Sequence, residues 1–328
     1  MTRYQRQTLL PEIGLWGQQR LADARVLVIG AGGLSATLLP QLAGAGVGYL
    51  RICDDDIVEL HNLHRQTLFT MDDIGQPKVF AARRALTALN PQCQIEAIKR
   101  RISASSLANV LENIDLVVDA ADNFAITWTL SDACHRSGLP LISASVLGRS
   151  GYVGGFCGGV PSYRAVFPEL PASAANCNTA GVMGPSVATL GALQAQMTLS
   201  VLLDLEPAAL GTVVSCDFVN WRFSSFRFDN APEPDEARIA FIDRQMLTDE
   251  DCIVELRSRE EAPVSVAENA LRILPEQIAA WSPPQDRRIV LVCASGIRAG
   301  RAAKTLEARG VHRLALLAAY DVPGRHSE

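Results

Sequence analysis

Apolar residues along this chain follow two alternating rhythms. Short apolar runs rich in β-branched residues (ARVLVIG, YLRIC, IDLVVDA) are separated by stretches of helical periodicity, with glycine or proline at the junctions. ARVLVIGAGG predicts a buried strand entering a glycine turn, and LSATLLPQLAGAG a helix ended by glycine. YLRICD is the next strand. A helix from about Lys78 to Leu89 stops at Asn90 and Pro91, and QIEAIKRRI alternates as a strand. LANVLEN reads as a short helix, IDLVVDA as an apolar strand ending in acid, and Asn123 to Ser137 as a helix leading through Gly138 and Pro140 into LISASV. Strands and helices in this alternation predict an α/β fold with a doubly wound, Rossmann-like, mostly parallel sheet.

The rhythm changes after about Ser150. Four shorter strands, GYVGGFC, SYRAVF, TVVSCDF and WRFSSFRF, are expected to extend the sheet with antiparallel strands around a long helix within Val182 to Leu203. PELPASAANCNTAGVMGP has no regular period and reads as a crossing loop. The proline-rich acidic stretch from Phe228 to Arg238 reads as a linker. CIVEL, a helical stretch, RIVLVC, a helix from Arg298 to Arg309 and RLALL then form a small second α/β unit. The expected division is 1–227, a linker at 228–240, and 241–328.

Composition narrows the class. With 328 residues, 48% of them hydrophobic, the chain can bury a large core. A net charge of −5 argues against a nucleic-acid partner, and the KRR run at Lys99 to Arg101 reads as a solvated strand end. The N-terminal residues carry no secretory pattern, so a cytoplasmic location is expected. The eight cysteines are scattered without a C-x-x-C pair and read mostly as reduced, buried thiols. Val182 to Leu203 has no formal charge, but Thr189, Gln194, Gln196 and Thr198 favour a buried or dimer-facing helix over a membrane span.

The candidate chemistry clusters early. Gly30, Gly32 and Gly33 let the backbone bring N–H groups close to a phosphate at a helix N-terminus. Asp54 follows at the end of the second strand, placed to accept ribose hydroxyls. A dinucleotide would need little more. Arg65, in HNLHRQ, can fork onto phosphate oxygens, Lys78 supplies a point charge, and Asp122, just past a central strand, can hold magnesium. Together these fit a triphosphate better than NAD, although an NAD-dependent oxidoreductase and a non-catalytic carrier-binding scaffold remain alternatives.

RYQRQ at Arg3 to Gln7, ARVLVIGAGGL, LAGAGVG, CDDDIVEL, NLHRQ, GQPK, LNP, DNF and AGVMGP together resemble the MoeB/ThiF family of ubiquitin-activating-type adenylyltransferases over roughly the first 225 residues. The resemblance implies ATP and Mg2+ as cofactors and a small ubiquitin-like sulfur carrier ending in Gly-Gly as partner. It also implies a homodimer in which Arg6 reaches the nucleotide of the neighbouring protomer. Asp54 would take the ribose, Asn62, Arg65 and Lys78 the phosphates, and Asp122 the magnesium, with Gln66 and Asn123 completing the nucleotide-contacting set. Cys177 matches a crossing-loop cysteine that can receive the acyl group.

Three departures stand out. Ser162 and Ala165 occupy the place of the first cysteine pair of a structural zinc site, so no zinc is expected. Ser35 replaces a glycine, and Thr127 an arginine that often follows DNF. Toward the C-terminus, Cys293 opens CASGIRAGR after an apolar strand, with Arg298 and Arg301 nearby, a setting that favours a thiolate or persulfide. C-x-x-x-x-R after a strand resembles the active loop of rhodanese-type sulfurtransferases, and VELRSREEAP echoes another segment of them with Glu255 at the usual aspartate. This resemblance implies a shortened rhodanese-like domain that accepts sulfur from a cysteine desulfurase or another donor.

Overall fold

The computed structural model describes residues 3–169, 181–234 and 239–319. Its first sheet is built on β1 (Arg25–Ile29), β2 (Tyr49–Cys53), β3 (Gln94–Ile98), β4 (Leu116–Asp119) and β5 (Pro140–Leu147), parallel throughout in the order β3-β2-β1-β4-β5. Antiparallel strands β6 (Ser150–Cys157), β7 (Thr212–Asp217) and β8 (Arg222–Arg227) extend it. Helices α1 (Gly14–Asp23), α2 (Gly33–Ala45), α3 (Lys78–Leu89), α4 (Leu107–Leu111), α5 (Phe124–Ser137), α6 (Tyr163–Val166) and α7 (Gly184–Leu203) cover it.

The apolar runs are buried on both faces, which is why they do not alternate with polar residues. Val26, Val28, Leu116 and Val118 join α2 and α3 in one core, while Leu27, Ile29 and Val117 turn to the other with Trp128 of α5. Glycine ends two helices: Gly46 (φ +92°) closes α2 and Gly138 (φ +66°) closes α5. By length and composition alone α7 could cross a membrane, but 56% of its most apolar window is buried in the fold. Its Gln194 is fully enclosed and donates to the carbonyls of Asp119 (2.6 Å) and Ile142 (3.3 Å), tying the helix beneath the ends of two central strands.

A second sheet, parallel throughout, runs β11-β10-β12-β13-β9, from β9 (Ala240–Phe241), β10 (Cys252–Glu255), β11 (Leu271–Arg272), β12 (Ile289–Cys293) and β13 (Leu314–Ala318), with α8 (Ile297–Glu307) against it. One apolar cluster continues from Leu27 and Trp128 through Phe241 to Leu291 and Leu316, so the two units share a core.

Two expectations need correction. SYRAVF is not a strand: Ser162 caps α6 by accepting the Ala165 N–H (3.2 Å), and Tyr163 tucks its ring against Phe156 and Phe167. So short an apolar stretch fits a single helical turn as well as a strand. The stretch between β10 and β12 contains no α-helix; Pro263, Pro275, Pro283 and Pro284 break it into turns around β11 and the 3-10 turn Pro275–Gln277. The linker stretch makes specific contacts over its described part. Phe228 stacks on Phe156 at 5.2 Å, and Glu233 accepts from the Ser162 backbone (2.6 Å) and hydroxyl (2.7 Å). This carboxylate clasp occupies the place of the first cysteine pair of the zinc-binding pattern.

Candidate nucleotide site

The strand order reverses between β1 and β4, and open α/β sheets bind ligands at that point, beyond the carboxyl ends of the strands. The register sets Ile29 level with Cys53 and Asp119, so the glycine turn and the residues after β2 and β4 converge. A cleft of about 550 Å³ opens there, lined by Gly30, Gly32, Gly33, Asp54, Asn62, Arg65, Gln66, Lys78, Asp122 and Asn123 among others. The structure thus brings together the sequence-derived nucleotide residues, with Arg6 the exception. Arg6 is exposed in the N-terminal turns and does not line its own chain's cleft. Cys177 lies outside the described residues.

Two of the turn's glycines are sterically required. Gly30 takes φ +96°, and a Cβ there would lie 2.8 Å from the Ala120 carbonyl oxygen. On Gly33 a Cβ would lie 2.7 Å from Val187 of α7, while on Gly32 it would meet only Gln66, at 3.9 Å. Ser35 is absorbed without crowding: its hydroxyl donates back to the Gly30 carbonyl and closes the turn.

Asp54 holds this turn in place by accepting the Ala31 N–H (2.6 Å) and the Asp56 N–H (2.7 Å). Burial pushes its carboxyl upward, opposed by Lys78 and those N–H groups. Lys78 opens α3, almost wholly buried, with Nζ 2.7 Å from Asp56. Arg65 donates to the His61 carbonyl (3.2 Å). The Asn62 side chain accepts from the Glu59 N–H (3.2 Å), whereas buried Gln66 leaves Oε1 without a partner. The Asn123 oxygen is committed to capping α5 through the Ala125 (2.9 Å) and Ile126 (3.4 Å) N–H groups, so its first task is structural.

Two features are not legible in the sequence, and the Thr127 departure finds its explanation. Arg100 and Arg101, in the run expected to be a solvated strand end, border the cleft, with Arg101 3.0 Å from Asp55. A charge run gives no hint of which way a strand end faces. Thr127, in place of an arginine, donates to buried Asp119 (2.7 Å) and to the Asn123 carbonyl (3.3 Å), so a neutral hydroxyl holds the loop carrying Asp122. Asp119 also accepts from Ser143 (2.9 Å), and burial pushes its carboxyl up to about 6.

At the end of β12, Cys293 is enclosed and its Sγ accepts the N–H groups of Gly296 (3.1 Å) and Ala299 (3.3 Å) at the start of α8. Such a cradle suits an anionic sulfur. Arg298 forks onto Glu261 (2.7 Å for one arm) and also interacts with Cys293, as the sequence implied. Arg301 is exposed on α8. Glu255 sits in a buried ion pair with Arg257 at 2.7 Å, which in turn donates to the Ala319 carbonyl (3.3 Å).

The donor set fits a magnesium-bound triphosphate: an open glycine turn, an orphaned Gln66 oxygen, cations at Arg65, Lys78, Arg100 and Arg101, and a carboxylate at Asp122.

Comparisons with known proteins agree in where they match. The chain is 36% identical over 235 residues to the SAMP-activating enzyme E1 of Haloferax volcanii, covering 71% of this chain and 87% of that protein. It is 42% identical over 209 residues to the sulfur carrier protein ThiS adenylyltransferase of Escherichia coli (63% and 83%). Identity to the adenylyltransferase and sulfurtransferase MOCS3 of Anopheles gambiae is 42% over 221 residues, 66% of this chain but only half of that protein's length. In fold it resembles E. coli MccB solved with ATP, with a TM-score of 0.62 at 23% identity over 71% of this chain and 73% of that one. The model of the ThiF family matches residues 4–237, and this chain belongs to that family.

Proposed function

We propose that this chain uses ATP and Mg2+ to adenylate the C-terminal glycine of a ubiquitin-like sulfur carrier and then passes sulfur to it. The observation that carries the reading is the convergence of Arg65, Lys78 and Asp122 on the glycine turn in one cleft. Sulfur-carrier adenylyltransferases among the relatives support it.

A carboxylate approaching a triphosphate is repelled, so the cleft must concentrate positive charge where the negative charge develops. Asp54 would hold the ribose, while the turn N–H groups, Arg65 and Lys78 would face the phosphates. Lys78 would exchange Asp56 for phosphate oxygen. Mg2+ held by Asp122 would neutralise the phosphates. The carrier carboxylate oxygen bonds to the α-phosphorus as the bond to the bridging oxygen breaks, and pyrophosphate leaves with that electron pair. No general base is needed, because the carboxylate is already ionised at neutral pH. In a homodimer, Arg6 would complete the partner's cleft.

Sulfur would arrive on Cys293 as a persulfide, delivered by a cysteine desulfurase or another sulfane-sulfur donor. Its terminal sulfur attacks the acyl carbon, and AMP leaves with the C–O electron pair. A dithiol then reduces the S–S bond, releasing the carrier thiocarboxylate and free Cys293 while becoming a disulfide. The N–H cradle around Cys293 supports this step, as do relatives named for both activities. It is tested by incubating a Gly-Gly-terminated carrier with ATP, Mg2+, a persulfide donor and a dithiol. Wild type should shift the carrier's mass by one oxygen exchanged for sulfur. The Cys293→Ser chain should adenylate the carrier without that shift; a shift in that variant would overturn the role of Cys293.

A further inference from the structure

The cleft is not built by the adenylation unit alone. Ser295, from the turn between β12 and α8, and Ile297, the first residue of α8, line it beside the glycine turn and Asp122. This is the loop that Cys293 opens. Its position is fixed from beneath: Gly296 takes φ +86° with its Cα so close to Phe241 that a Cβ would lie 2.5 Å from the ring. Phe241 meets Trp128 edge-on at 6.2 Å, and Trp128 belongs to α5, the helix that starts directly after Asp122 and Asn123. Further contacts hold the C-terminal unit to the adenylation unit. The Ser105 N–H donates to Asp243 (2.9 Å), buried Arg164 donates to the Ile239 carbonyl (3.3 Å), and Lys304 pairs with Glu169 at 2.9 Å. The Ser105 contact lies three residues from Ile102, which also lines the cleft. Through Phe241 the loop is therefore packed toward the helix that follows Asp122, and the unit carrying it is tied at Asp243 to the segment after β3.

We propose that the Cys293–Arg298 loop is a wall of the adenylation cleft of its own chain, so that nucleotide binding and sulfur delivery share one cavity and proceed in cis. The proposal rests on the adenylation reading above and adds a geometric claim to it. A tethered unit with no fixed seat would leave Ser295 and Ile297 remote from the glycine turn. Here the same cavity touches both, so an acyl-adenylate formed in it would lie against the residues that follow Cys293, whose sulfur is enclosed behind them.

Linkage requires that a ligand filling the cleft also stabilises the wall it touches. Hydrogen exchange on the full chain, with and without MgATP, should therefore show slowed amides at 30–35 and also at 294–298. Protection of the glycine turn without the 294–298 loop overturns the wall. Protection at neither overturns the nucleotide reading as well. The cis claim is read by mixing separately purified Asp122→Ala and Cys293→Ala chains with carrier, ATP, Mg2+, persulfide donor and dithiol. Intact pyrophosphate exchange by the Cys293→Ala chain and persulfide loading of the Asp122→Ala chain show that each is folded. Sulfur delivery in cis predicts that the mixture forms no more thiocarboxylate than either chain alone. Thiocarboxylate restored by mixing overturns it, and a wild-type chain that adenylates but forms none overturns the sulfur-delivery half.

Discussion

Asp119 shows how one buried carboxylate couples the site to pH. It is fully enclosed at the end of β4, accepts from Thr127, Ser143 and the Ala121 N–H, and is pushed up to about 6 by burial from an ordinary 3.8. Between those values the folded chain keeps a proton that the unfolded chain has released. Stability present at the acid end is therefore lost as pH rises through this window, by about 3 kcal/mol in total. Asp119→Asn keeps the shape and removes the titration. Chemical denaturation across the window should show wild type losing stability relative to the variant as pH rises, and parallel profiles would contradict the assignment. The candidate site residues Asp54, Arg65, Lys78 and Asp122 are legible because each stands near a strand end or helix start, where residue type and local order already imply the chemistry. Asp119, Arg100 and Arg101 were not, because burial and the facing of a strand end depend on chain far away in sequence.

At the scale of elements, the cleft depends on how closely α2 and α7 approach. A Cβ on Gly191 would lie 2.4 Å from the Leu34 carbonyl oxygen, and one on Gly33 would strike the stiff side chain of Val187. Gly33→Ala should push the start of α2 away from α7 and weaken ATP binding about ten-fold or more, an overpacking cost of the usual size. Equilibrium titration with ATP measures this, and an unchanged affinity would mean that the turn does not hold the phosphates. The parallel strands and their helices were legible because doubly buried strands and amphipathic helices write different periods. The α6 turn and the irregular stretch before β12 were not: the first takes its form from Ser162, Glu233 and an aromatic cluster, the second from its prolines.

Over the whole molecule, two sheets share one apolar core, and the loop of the second walls the cleft of the first. Neither the docking nor the shared cavity is written in local pattern, since the contacts that fix them join Ser105 to Asp243 and Trp128 to Phe241. The central claim is that this cleft adenylates a carrier carboxylate. Isotope exchange between pyrophosphate and ATP tests it most directly, run with Mg2+ and a Gly-Gly-terminated sulfur carrier on wild type, Asp122→Ala and Cys293→Ala. The account predicts carrier-dependent exchange in wild type and Cys293→Ala, and a loss of about a hundred-fold or more in Asp122→Ala. Exchange that survives in Asp122→Ala, or its absence from a wild-type protein that binds both ATP and carrier, would contradict it.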